Sequence, residues 1–215
     1  MNKTWSGIAV LACAAAALAQ VQNYTPVTKQ MLENPSPEDW LIYSRTYDAQ
    51  RFSPLKQITK QNVGQLALAW TRALPAGTME GIPLIHNGVM YAIAPAGVID
   101  ALDATNGDLI WEYKHKMENG QSASTARSKA IAIYEDVILF TAPDNTIIGI
   151  DARTGALRWS TPDVRGHTSG PIVVEGKVIT GGACAGGLRS SCYIAAHDAL
   201  TGKLVWKFYT AAGGD

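Results

Sequence analysis

The sequence has no excess of charge, because 18 Lys and Arg residues balance 18 Asp and Glu residues. It also has no run of adjacent basic residues, so it offers no electrostatic basis for binding nucleic acid. A Cys-x-x-Cys-His motif is missing too, which argues against a c-type haem attached within this stretch. Neither nucleic-acid binding nor haem attachment is therefore predicted.

Long hydrophobic runs are also missing, since the apolar stretch Ile8–Leu18 is too short to span a bilayer. Lys3 precedes that stretch, and Ala17-Leu18-Ala19 fits a small-residue cleavage site. Residues 1–19 are therefore predicted to be an export signal peptide, and no transmembrane segment is expected after its removal. Cys13 could suggest a lipoprotein anchor, but the apolar stretch continues beyond it, which disfavours that alternative.

Cysteine is scarce, with three residues in the chain. Removal of the signal would take Cys13 away and leave Cys184 and Cys192. An even pair in an exported chain favours a disulfide, because exported proteins fold in an oxidising compartment. We therefore predict a disulfide between Cys184 and Cys192, across the base of the loop that contains Gly186 and Gly187.

One nine-residue pattern, by contrast, occurs three times. Asp, Gly and Trp occupy its first, fifth and ninth positions, and successive tryptophans are 48 and 47 residues apart. In each copy a short apolar strand precedes Asp, Gly closes a tight turn, and a second strand ends in Trp. A repeat of this length indicates a propeller or a solenoid. The three copies are Asp103–Trp111, Asp151–Trp159 and Asp198–Trp206.

Four short strands are predicted in each repeating unit, which is the number in a propeller blade. The fold class is therefore predicted to be all-β, with about three blades in residues 81–215. The tryptophans are expected to dock neighbouring blades, and Trp159, in the middle blade, is expected to be the most buried. Residues 20–80 are predicted to be an N-terminal arm with a ring-closing strand, Leu66–Trp70. Three blades do not close a ring, so the chain is interpreted as part of a longer protein or a truncated one.

Motifs outside the repeat are similar to those of a known family, the PQQ-dependent (quinoprotein) alcohol dehydrogenases. Members of that family hold pyrroloquinoline quinone (PQQ) in an eight-bladed propeller. The resemblance covers essentially the whole mature chain and identifies it as the N-terminal portion of a divergent member. Besides the repeats, it is carried by Trp40–Tyr43, Arg51–Leu55, Asn62–Trp70, Glu80–Leu84 and Val178–Ala183.

The resemblance implies five cofactor-binding positions on three successive blades. Glu80 falls on the residue that contacts the quinone ring. Lys129 falls on a basic position beside the quinone oxygens, with Arg127 as the alternative if this segment is displaced by two residues. The other positions are a cofactor-binding threonine and two residues whose backbone lines a PQQ carboxylate, namely Thr168, Gly182 and Ala183.

Three departures from the family's pattern limit what the resemblance implies. Ala123 and Ser124 stand where the family has two adjacent cysteines over the cofactor. Cys184 stands where the family has a calcium-binding glutamate, and sulfur is a poor ligand for that hard cation. The family's catalytic aspartate would lie beyond Asp215, so no catalytic residue is assigned. The resemblance thus implies PQQ and gives weaker grounds for calcium.

The function implied by the resemblance is that of a periplasmic dehydrogenase, which transfers hydride from a small alcohol to the quinone. A cytochrome-type protein would then accept the electrons. The 215-residue chain alone is expected to be inactive. The alternative is a non-catalytic scaffold propeller of the outer-membrane assembly type, which shares the repeat. Glu80, Pro83 and the Arg51–Leu55 segment favour the enzyme.

Overall fold

The computed structural model describes residues 20–116, 129–162, 169–182, 184 and 192–211. These residues form three antiparallel sheets of four strands each, preceded by an N-terminal arm with a short α-helix, Lys29–Glu33. No helix in these ranges is long and apolar enough to cross a bilayer. Each sheet consists of four strands that are consecutive in sequence, so each is one blade.

The strands follow the repeat closely, which confirms the predicted all-β propeller architecture of about three blades. Blade 1 contains β1 (Leu84–His86), β2 (Val89–Ala94), β3 (Val98–Asp103) and β4 (Leu109–Lys114). Blade 2 contains β5 (Ala132–Tyr134), β6 (Val137–Thr141), β7 (Thr146–Asp151) and β8 (Leu157–Pro162). Blade 3 contains β9 (Ile172–Val174), β10 (Lys177–Gly182), β11 (Tyr193–Asp198) and β12 (Leu204–Tyr209).

The turn between the last two strands of each blade is stabilised by its aspartate and made possible by its glycine. In all three copies the aspartate accepts hydrogen bonds of 2.8–3.1 Å from backbone N–H groups two or three residues later. The turn glycines, Gly107, Gly155 and Gly202, have φ between +71° and +78°. That left-handed conformation strains any residue with a Cβ atom, so the sequence pattern and the turn geometry agree.

Each turn glycine also lies beneath a tryptophan of the preceding segment. Trp111 covers Gly155, and Trp159 covers Gly202, so closely that a Cβ atom on either glycine would overlap the indole. Trp70 covers Gly107 in the same way, and its Nε1 donates to the Ala104 carbonyl at 3.2 Å. The tryptophan pattern therefore docks one unit onto the next, as predicted.

The expected order of tryptophan burial was wrong. Trp111 is the most buried of the three repeat tryptophans, at 6% exposure, whereas Trp159 is half-buried and Trp206 is 41% exposed. The Tyr91 ring packs against Trp111, with 5.9 Å between the ring centroids, and no such ring contact with Trp159 is found among the described residues. Tyr91 and Trp111 also share the Ala152 carbonyl as hydrogen-bond acceptor, at 3.1 Å each.

The N-terminal arm contacts all three blades. Val27 and Trp40 form isolated antiparallel bridges with Glu135 and Ile85, in blades 2 and 1 respectively. Tyr47 donates its hydroxyl hydrogen to the Val173 carbonyl of blade 3 at 2.6 Å. The arm therefore lies across the first strands of the blades, and its apolar residues join one core with theirs.

The predicted ring-closing segment, Leu66–Trp70, pairs with none of the strands that the structure describes. It nevertheless lies against blade 1, because Trp70 covers the Gly107 turn. Arg72 forms an ion pair of 3.5 Å with Asp100 of β3, whose pKa is raised by burial. A strand at this position stays a prediction, whereas the docking of Trp70 is part of the observed fold.

Candidate functional site

The candidate site lies at the rim where the first strand of each blade begins. The Ile82 N–H donates to the Lys129 carbonyl at 3.2 Å, and Ile82 and Ala130 form a parallel bridge. A Cβ atom on Gly170 would overlap Ala130, so the segment before β9 is equally close to the segment before β5. The three segments that precede β1, β5 and β9 therefore lie side by side.

Glu80 and Lys129 meet at this rim. Lys129 Nζ lies 3.6 Å from Glu80 Oε2, and the two side chains are 50% and 33% exposed respectively. An ion pair this accessible to water contributes little to stability. The Lys129 ammonium group has three N–H donors, so it can serve a further acceptor besides Glu80. The structure brings these two predicted residues together.

Gly182 lies at the same rim. It is the last residue of β10, which runs antiparallel to β9, so the end of β10 adjoins the beginning of β9. Gly182 pairs with Tyr193 across the ladder and is half-buried. Of the other predicted positions, the cofactor-binding candidates Thr168 and Ala183 and the alternative Arg127 lie outside the described residues.

The predicted disulfide is present. It joins Cys184 to Cys192, whose Cα atoms are 4.6 Å apart, and it closes the β10–β11 connection just beyond Gly182. A sulfur bound in a disulfide has no thiolate charge to offer a cation. Within the described ranges, no group of three or more His, Cys, Asp or Glu residues could hold a metal. The donor set at Cys184 therefore does not fit the calcium ligand that the resemblance places there.

A cleft of about 420 Å³ opens beside Lys129, between the arm and the inner strands of blades 2 and 3. Its wall on the arm side runs from Ile42 to Ala49 and includes Tyr43 and Tyr47, each 40% exposed. Residues 129–132 and 169–172 line the other sides. The sequence alone did not place the arm here. The one available signal was a pair of tyrosines four residues apart in an otherwise polar segment.

The fold and the site together define a class of protein, a β-propeller with a charged pair at the rim where its first strands begin. The family described as "PQQ: Glucose/ethanol/alcohol dehydrogenase, beta-propeller domain" matches residues 40–215, which is most of the chain. The chain therefore belongs to this family, whose characterised relatives are quinone-dependent oxidoreductases.

Relatives of known activity support the same assignment. Quinohemoprotein alcohol dehydrogenase ADH-IIG of Pseudomonas putida is 40% identical over 188 residues, which are 82% of this chain and 26% of that protein. A 1-butanol dehydrogenase (cytochrome c) of Thauera butanivorans is 33% identical, over 74% of this chain and 24% of that protein. The chain thus spans about a quarter of the length of these relatives.

Solved structures give the same result. The chain superposes on quinohemoprotein alcohol dehydrogenase ADHIIG from Pseudomonas putida HK5 with a TM-score of 0.78 and 37% identity. That alignment covers 88% of this chain and 30% of the other. The likeness to BamB from Moraxella catarrhalis is weaker, with a TM-score of 0.50 and 26% identity over 65% of this chain and 39% of the other.

Proposed function

We propose that this chain supplies three blades, and one side of the PQQ site, of a dehydrogenase that oxidises a small alcohol by hydride transfer to the quinone. The observation that carries the proposal is the contact between Glu80 and Lys129 at the rim of a propeller of this family. Both residues were assigned to the cofactor from sequence resemblance alone. Their adjacency on two successive blades is what a shared ligand near the axis requires.

The residues at the rim suit a cofactor with three carboxylates. Lys129 provides a half-exposed ammonium group, which binds carboxylates and quinone oxygens through charge-assisted hydrogen bonds. Glu80 holds that ammonium group at the rim through their ion pair, and Gly182 provides backbone without a side chain to obstruct it. When bound, PQQ would accept the hydride. Thr168 and Ala183 complete the proposed set, as sequence predictions.

Calcium is not included in the proposed site. Cys184 stands at the position of the family's calcium-binding glutamate, and its sulfur is bonded to Cys192. Calcium prefers hard oxygen ligands, which this position does not supply. The proposed roles therefore belong to Lys129, Glu80 and the backbone at the end of β10, together with the sequence predictions Thr168 and Ala183.

Export and electron transfer complete the proposal. The signal-like residues 1–19 and the Cys184–Cys192 disulfide both suit an oxidising compartment, and we place the protein in the periplasm. The name of the Thauera butanivorans relative includes cytochrome c, and we propose a cytochrome-type electron acceptor here as well.

Titration with PQQ tests the proposal, with tryptophan fluorescence as the binding signal and alcohol-dependent dye reduction as the activity. Lys129→Met in the protein from the complete gene is expected to weaken PQQ binding about tenfold or more, since it removes a charge-assisted contact. Lys203→Met is the matched control, because that lysine lies in the exposed turn of blade 3. Equal PQQ affinity of the Lys129→Met variant and the parent protein would contradict the assignment. This chain alone is expected to turn over no alcohol.

A scaffold function is the second candidate, favoured by Cys184 and by the BamB likeness. A scaffold propeller needs neither PQQ nor an exposed cation at its rim. Absence of saturable PQQ binding in the folded, complete protein would therefore favour the scaffold function and contradict the proposed enzyme function.

A further inference from the structure

A buried polar cluster lies at the end of β1, at the opposite rim from the candidate site, and the proposed function does not use it. It contains His86, which is fully buried, and Asp39 of the arm, which is 8% exposed. Burying an ionisable group lowers the stability of the fold unless the group is paired, so the interactions of these two residues must offset that cost.

Both ring nitrogens of His86 face oxygen acceptors. Nε2 lies 2.7 Å from the Thr25 carbonyl oxygen, which can only accept, so Nε2 must carry a hydrogen. Nδ1 lies 3.3 Å from Asp39 Oδ2, while the other oxygen of Asp39 accepts the Asn87 N–H at 3.3 Å. An ionised carboxylate is also acceptor-only, so Nδ1 needs a hydrogen as well. The geometry thus suits an imidazolium with two N–H donors.

We propose that His86 is a buried imidazolium that locks the N-terminal arm onto blade 1, and that loss of its proton releases the arm. With one N–H, His86 would turn a lone pair toward the Asp39 carboxylate and leave one uncompensated negative charge in the core. Thr25 and Asp39 both belong to the arm, whereas His86 belongs to the blade. The proton therefore determines whether two parts of the chain hold together.

The surroundings of the ring add no competing cation among the described contacts. Tyr24 of the arm packs edge-on against His86, with ring centroids 5.5 Å apart, and donates its hydroxyl hydrogen to the Glu135 carbonyl at 2.6 Å. Burial raises the pKa of Tyr24, and the nearby charges of Asp136 and Asp151 raise it further, so the phenol stays neutral. Asp39 is thus the charged partner of His86 on the arm side.

The lock bears on the candidate site through the arm. Trp40, the residue after Asp39, pairs with Ile85, the residue before His86, through hydrogen bonds of 2.9 Å and 3.0 Å. The arm continues from there to Ile42–Ala49, which form one wall of the cleft beside Lys129. Release of Asp39 would therefore loosen that wall.

His115 provides a matched contrast within the same molecule. Its Nε2 lies 2.6 Å from Asp144 Oδ2, but its Nδ1 lies 3.4 Å from the Tyr113 hydroxyl group. A hydroxyl group can donate to a ring nitrogen, so His115 is satisfied with one N–H. Both histidines contact an aspartate, at 3.3 Å for His86 and 2.6 Å for His115, and their second partners differ in kind: a carbonyl group for His86 and a hydroxyl group for His115.

Nitrogen NMR of the histidine-labelled protein at neutral pH tests the protonation state without any substitution. Two protonated ring nitrogens are expected for His86. An unprotonated nitrogen in the His86 ring of the folded protein would overturn the proposal. His86→Gln and His115→Gln assign the signals.

Protection of arm amides from hydrogen exchange then tests release. A stabilising imidazolium contributes fully at low pH, and its contribution is lost as pH rises. Protection factors of residues 25–40 are therefore expected to fall about tenfold or more from neutral to alkaline pH, while those of β6 stay constant. Asp39→Asn removes the buried charge and is expected to make arm protection independent of pH. The proposal would also be refuted if, in the parent protein, the protection factors of the arm amides changed with pH in the same way as those of the β6 amides.

Discussion

The glycine of each repeat turn decides whether neighbouring blades can meet, because it serves two purposes at one backbone position. At Gly155, φ is +72°, and a Cβ atom would lie 2.7 Å from the indole of Trp111. Gly88, in the β1–β2 turn, has a similar φ of +74° but no heavy atom within 4 Å of a Cβ position. A substitution at Gly88 therefore measures backbone strain alone, whereas one at Gly155 measures the same strain and the obstruction of Trp111.

Gly88→Ala is expected to lower the free energy of unfolding by about 1–2 kcal/mol, the cost of a left-handed conformation with a Cβ atom. Gly155→Ala is expected to cost about 1–3 kcal/mol more, because the added methyl group displaces Trp111. Urea unfolding of both variants measures the difference. Equal losses would mean that Trp111 can move aside freely and that the contact does not dock the blades.

At the scale of the element, blade 2 has a charge network around its repeat turn. Asp151 Oδ2 accepts hydrogen bonds from Arg153 at 3.0 Å and from Arg158 at 2.6 Å. Arg158 also donates to Asp136, in the β5–β6 turn, at 2.6 Å. Partial burial would raise the pKa of Asp151, but the hydrogen bonds from the two arginines hold it well below its usual range. The network links both turns at this end of the blade.

Asp151→Asn is expected to lower the free energy of unfolding by about 2 kcal/mol at pH 7, since it removes charged hydrogen bonds from a mostly buried group. The folded-state pKa is depressed, so this contribution is present above the unfolded value, about 3.9, and lost as pH falls through the folded one. The difference in the free energy of unfolding between the parent protein and the variant should therefore become smaller below about pH 4.

Asp103→Asn is the matched control for this effect. Asp103 occupies the same turn position in blade 1, where its described hydrogen bonds come from Thr105 and the turn backbone rather than from arginines. Its replacement is expected to cost less and to depend less on pH. A loss for Asp151→Asn that stays constant down to acid pH would show that the ion pairs do not stabilise the blade.

At the scale of the whole molecule, the parts that the sequence predicted are those governed by local pattern. Asp, Gly and Trp at fixed spacing determine each turn, and the strands around it follow from alternation and turn position. The arm has no such pattern, because its contacts join distant residues, with Tyr24 and Glu135 separated by 111 positions and Tyr47 and Val173 by 126. Burial of Trp111 likewise depends on Tyr91, which the repeat does not specify.

The candidate site was predicted in part for the same reason. Nothing in the spacing of Glu80 and Lys129 places them together, since each precedes the first strand of a different blade. The two residues were predicted from similarity to a family. They lie close together because the segments that contain them are joined by the parallel bridge between Ile82 and Ala130. The cleft wall formed by the arm was missed, because it depends on the arm's long-range contacts.

Tryptophan docking across the whole molecule gives the last prediction. Trp111 is 6% exposed, packs on Gly155 and donates to the Ala152 carbonyl, whereas Trp206 is 41% exposed on the outer strand of blade 3. Trp111→Ala is therefore expected to lower the free energy of unfolding by about 3–5 kcal/mol, through lost burial and a cavity. Trp206→Ala is expected to cost less than about 1 kcal/mol, as exposed side chains usually do. Chemical denaturation of both variants, with Trp159→Ala as an intermediate case, measures the order. A Trp206→Ala loss as large as that of Trp111→Ala would show that the outer face of blade 3 is covered in solution.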